Sequence, residues 1–92
     1  MSKEAATMWK EGVIGIPADI AGKVIAVHYW VKHYEHPSKY GINNGRISKV
    51  MLKIDGELVC NYDRGWDIRP TIKAAEVALE ILLYEIDGRS NE

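Results

Sequence analysis

The chain has a single cysteine, Cys60, so no internal disulfide framework can hold the fold together. One cysteine fits a reducing compartment. No apolar run approaches the ~20 residues needed to span a bilayer, so no membrane partner is expected. The opening Met1-Ser2-Lys3-Glu4-Ala5-Ala6-Thr7 lacks the apolar core of a signal peptide, and a cytoplasmic location is the expectation. Also missing are any CxxC or HxxxH spacing, any internal repeat and any low-complexity tract. No catalytic or cofactor motif stands above background, so the precise task of the protein is not written in its residues.

What is present suffices for one domain over residues 1–92, with 1–7 and 89–92 expected to fray. The net charge is only −1, yet the charges are segregated along the chain. Residues 23–53 hold six bases against one acid, and residues 54–92 hold four bases against nine acids. The middle of the chain can therefore attract an anionic partner, unless the two halves simply complement each other.

The longest ordered stretch, residues 24–34, is rich in β-branched and aromatic residues, holds no Gly or Pro, and reads as a strand. Its faces differ. Ile25, Val27, Tyr29 and Val31 point one way, whereas His28, Trp30, Lys32 and Tyr34 point the other. Before it, residues 8–16 predict a short strand in which Gly12 and Gly15 mark a bulge or a close backbone approach, closed by Pro17. After it, residues 35–46 form a loop longer than most hairpin connections, a segment in which binding residues often sit. Residues 46–54 predict a third strand and 57–62 a fourth, joined at Asp55-Gly56. A two-residue turn there would carry polar Asn61 to the core face. A three-residue turn pairs Leu52 with Leu58 and Val50 with Cys60, and is the preferred register. Residues 63–70 break the strand. The spacing of Ile72, Ala75, Leu79, Leu82, Leu83 and Ile86 then predicts a helix over 71–87, with Thr71 as N-cap and Gly88 just past the end.

The expected fold is α+β, a three- to four-stranded antiparallel sheet with one C-terminal helix packed on one face. One helix covers one side. The other side is expected to show His28, Trp30, Lys32, Tyr34, Ile47, Lys49, Met51, Lys53, Val59 and Asn61, too apolar and aromatic for an ordinary wet surface. Arg64 and Trp66 join the candidate binding residues as types common at interface hot spots, with Trp66 also suited to closing the core under the helix.

Other chemistry is poorly supported. His28 and His36 share a strand face but would lie beyond ~25 Å apart at ~3.3 Å per residue, so no metal is expected. Cys60 is expected beneath the helix as a small hydrophobe. Asp63 and Asp67 resemble a carboxylate pair for metal-assisted hydrolysis, but the simpler reading has Asp67 capping the approach to the helix and Asp63 pairing with Arg64 or Arg69. The expectation is a protein without enzymatic activity or cofactor. A protein partner, or a second copy forming a homodimer, ranks first. Nucleic acid ranks second, with Trp30 and Tyr34 stacking bases while lysines neutralise phosphates.

The order of strands followed by Lys73-Ala74-Ala75-Glu76-Val77-Ala78-Leu79 resembles the later part of a double-stranded-RNA-binding domain. That family needs a lysine cluster at the helix start, where this chain has Ile68-Arg69-Pro70-Thr71-Ile72, so RNA binding does not carry over. A second resemblance rests on Trp9, Glu11-Gly12-Val13-Ile14, Lys32-His33-Tyr34-Glu35, Pro37-Ser38, Tyr40-Gly41-Ile42, Gly45-Arg46-Ile47-Ser48-Lys49 and Asn61-Tyr62-Asp63-Arg64-Gly65-Trp66-Asp67. These residues are similar to a small family of single-domain proteins from Firmicutes and their phages, with no known activity. The resemblance implies a phage or mobile-element setting, in which small proteins act by binding host machinery.

Overall fold

The computed structural model describes residues 7–18 and 22–88. The frayed tails expected at 1–6 and 89–92, and most of the turn expected at 19–22, lie outside the described residues. Thr7, expected to fray, instead opens the first strand.

Five antiparallel strands form one sheet in sequence order: β1 Thr7–Pro17, β2 Val24–Tyr34, β3 Ile47–Ile54, β4 Glu57–Asp63 and β5 Trp66–Ile68. Helix α1, Lys73–Asp87, follows. The fold is therefore α+β, with one C-terminal helix on an open sheet and one or two more strands than expected. The extra strand is only three residues long and is recruited by pairing, Tyr62 with Trp66 and Asn61 with Ile68. A stretch so short carries no periodicity of its own.

β1 pairs with β2 over eleven positions without a shift, so neither Gly12 nor Gly15 makes a bulge. The close-approach reading holds at Gly12, where a Cβ would stand 2.8 Å from the Tyr29 hydroxyl. The β3–β4 turn differs from the three-residue loop. Asp55 and Gly56 both have positive φ, 52° and 82°, which makes a two-residue hairpin turn that twists with its strands. The register then shifts between Leu52 and Lys53, which pairs Leu52 with Cys60 and Val50 with Tyr62. One extra residue in β4 thus keeps Asn61 off the core face. It also turns exposed Leu58, expected in the core, away from it, and lets Val59 pack against the core instead.

A second shift, between Lys32 and His33, acts likewise on β3. Ile47 is fully buried and pairs with His33 rather than lying on the open face. Both corrections have one cause: a bulge reverses the alternation beyond it.

The core lies between sheet and helix. Val27, Val31, Val50, Leu52 and Cys60 meet Ala75, Ala78 and Leu82, all fully buried. Alanines on the inner side let the helix lie close to the strands. Ile72, not Thr71, is the N-cap, and its carbonyl accepts from the amides of Ala75 and Glu76. Gly88 closes the helix in the left-handed region, φ 70°, with its amide donating to the Tyr84 carbonyl. The helix starts beside Ile25 and Ile54 and ends against Gly45 and Arg46, so it runs the same way as β2.

The loop between β2 and β3 is folded down onto that end. Ile42 is buried in a single 3-10 turn, Ile42–Asn44. The Arg46 amide donates to Asp87 Oδ1 at 2.9 Å, and the Arg46 guanidinium Nε donates to the Tyr34 carbonyl at 3.1 Å. Tyr62, otherwise buried in the sheet, donates its hydroxyl to the Tyr40 carbonyl at 2.7 Å. Much of this loop is thus occupied in closing the core.

Candidate functional site: the open sheet face

Strand alternation sends one set of side chains to the helix and the other to a face that no second layer covers among the described residues. Register places three rows across that face. Glu11, Trp30, Met51, Asn61 and Ile68 form the middle one. Val13, His28, Lys53 and Leu58 flank it on one side, and Trp9, Lys32, Lys49 and Asp63 on the other.

The rows interlock through their side chains. The His28 ring stacks on Trp30 at 4.1 Å and an interplanar angle of 23°, and its Nε2 lies 3.2 Å from Glu11 Oε2. Lys53 Nζ sits 5.7 Å from the Trp30 ring centroid, and Lys32 Nζ 5.8 Å from that of Trp9. At such distances an ammonium is attracted by the ring quadrupole, by roughly 0.5–1 kcal/mol in the open. Lys49 pairs with Asp63 at 3.3 Å, and Asn61 donates to Asp67 at 3.1 Å. Asp63 and Asp67 therefore have separate partners. Among the described residues no three His, Cys, Asp or Glu side chains come together as a metal site.

Of the expected binding residues, the face assembles Trp30, Lys32, Lys49, Met51 and Lys53 in adjacent rows. Tyr34 and Arg64 stand apart from them, at the loop end of the sheet, where both line a cleft. Trp66 lies on the helix side, edge-on to Tyr62 at 5.1 Å and covered by Arg69, whose guanidinium is 5.0 Å from its ring. Closing the core end is the role its position gives it.

Trp9 and Val13 were missed. Both are about 60% exposed and stand on the open side of β1, beside Lys32 and His28. The signal was the alternation of residues 9, 11 and 13, obscured by the two glycines. Leu58 and Ile68 also reach this face, through shifts in register that no local pattern announces.

A family model described as a domain of unknown function (DUF7678) matches residues 8–87. The chain belongs to that family. The matched range runs from the second residue of β1 to the last of α1, so the family unit is the sheet with its helix, open face included. Neither a curated protein nor a solved structure matches the chain. No helix among the described residues is long and apolar enough to cross a membrane.

Proposed function

We propose that the protein is a non-enzymatic binding module whose open sheet face docks a protein partner, either another protein or a second copy of this chain. The observation that carries the reading is the cluster of Trp9, Val13, Trp30, Met51, Leu58 and Ile68 on a face that no second layer covers among the described residues. Tryptophan and methionine are enriched in buried interface centres, and a rim of charged groups suits a surface that is wet when free. The sequence resemblance adds a phage or mobile-element setting, and a cytoplasmic site of action accords with it.

The test compares wild-type protein with Trp9→Ala and Trp30→Ala in sedimentation velocity over a concentration series and in capture of partners from host lysate. Loss of a tryptophan at a hot spot should weaken the contact by about 2 kcal/mol or more, roughly thirtyfold. Unchanged oligomeric state and unchanged capture in both variants would sink the reading.

A second reading, single-stranded nucleic acid on the same face, rests on Lys32 and Lys53, which lie over tryptophan rings and have no carboxylate partner among the described residues. Stacking platforms beside unpaired cations are what such strands use. If Lys32, Lys49 and Lys53 each neutralise one phosphate, log K should fall against log salt with a slope of about −2 to −3. Absence of any gel shift at low salt removes this alternative.

A further inference from the structure

A cleft of 520 Å³ opens at the loop end of the sheet, between β2, the turn after β4 and the loop between β2 and β3. Its size lies within the range of small-molecule sites. Its chemistry is one-sided. Arg64 and His36 line it together with the hydroxyl-bearing residues Thr7, Tyr34, Ser38, Tyr40 and Ser48, and no Asp or Glu does so among the described residues. Arg64 has no carboxylate partner among them either, and its guanidinium lies 4.5 Å from the Tyr40 ring centroid.

The setting of Arg64 is unusual. It adopts φ 62°, a left-handed conformation that glycine or asparagine tolerates more cheaply, while Gly65 next to it does not carry a positive φ. Its amide donates to the Ser48 carbonyl, and the Asp63 amide donates to the Gly65 carbonyl, so the turn is held from both sides. The opposite wall is fixed as well. The Tyr40 amide donates to Ser38 Oγ at 3.0 Å, and the Tyr40 carbonyl accepts the Tyr62 hydroxyl. A guanidinium and several hydroxyl-bearing residues, two of them held by local hydrogen bonds, thus surround a space lined by no carboxylate among the described residues, an arrangement suited to an oxyanion.

We propose that this cleft binds a small molecule bearing an oxyanion, phosphate or carboxylate, with Arg64 as the charged anchor and Tyr34 and Pro37 as a flat apolar wall. Inorganic phosphate, acetate and adenosine monophosphate serve as probes, titrated against the full chain by amide chemical shifts. The expected result is saturable movement of Ser38, Tyr40, Ser48 and Arg64 signals. Phosphate acting more strongly than acetate identifies a phosphate ligand, and the reverse order a carboxylate. A larger affinity for the nucleotide than for phosphate reports use of the apolar wall.

Arg64→Asn keeps a residue that tolerates the left-handed turn and removes the charge. It should fold with a melting temperature near that of the wild type and bind the preferred probe at least tenfold more weakly. No saturable shift with any probe overturns the proposal. So do shifts confined to Lys32, Lys49 and Lys53, or shifts that persist in Arg64→Asn, because the anion is then held elsewhere. The protein-docking reading stands or falls separately, since it depends on Trp9 and Trp30.

Discussion

Cys60 faces the helix across from Leu52, and burial pushes its thiol from the usual 9.0 up to about 11. Desolvation alone is responsible, because a thiolate there would have neither water nor a cation. Tyr62 is raised for the same reason. The folded-state value lies above the unfolded one, so the associated stability is whole below pH 9 and is lost as pH rises towards 11. A shift of this size corresponds to at most roughly 2–3 kcal/mol. Denaturant unfolding at neutral and alkaline pH should therefore show a shallower alkaline decline in Cys60→Ala than in the wild type. An alkylating reagent should reach the wild-type thiol only on unfolding.

At the scale of elements, the end of α1 is clamped to the loop leading into β3. Asp87 accepts the Arg46 amide, and its carboxyl carbon lies 2.9 Å from where a Cβ on Gly45 would stand. Gly45→Ala must displace that carboxylate and should cost about 1–3 kcal/mol. Asp87→Ala leaves the Arg46 amide without its acceptor, at about 1–3 kcal/mol. The double variant should cost less than the two added together, because removing the carboxylate makes room for the methyl group. Urea unfolding of the four proteins measures the coupling, and strict additivity would contradict the geometry. This clamp also explains why the long, glycine- and asparagine-rich loop read as a binding segment. Its composition reports tight turns and close approach, which structure and recognition both require.

For the whole molecule, one helix on a five-stranded sheet divides the apolar residues into two populations. Leu82 is fully buried and Trp9 is 59% exposed, although both are large and apolar. Leu82→Ala should lower unfolding free energy by about 2–5 kcal/mol. Trp9→Ala should change it by less than about 1 kcal/mol while still weakening partner capture. Thermal and denaturant unfolding distinguish the two, and a large stability loss at Trp9 would assign it to the fold instead.

The residues by themselves determined the class of fold, the two-sided strand Val24–Tyr34 and the helix, because alternation and 3.6-residue periodicity are local properties of the chain. They also placed Cys60 under the helix and Trp30, Lys32, Lys49, Met51 and Lys53 on the opposite side. What they left open depended on pairing. Two shifts in register moved Ile47 inward and Leu58 outward, while Asn61 stayed off the core face as expected but by a two-residue turn with a bulge instead of a three-residue turn. A bulge costs one unpaired residue locally and is chosen by the neighbouring strand, so no stretch of sequence reveals it alone. Tertiary structure likewise decided that Trp66 belongs with the helix, that Trp9 joins the open face, and that Arg64, Tyr34 and Tyr40 meet in one cleft. Each depends on residues far apart in the chain, brought together only when the strands align.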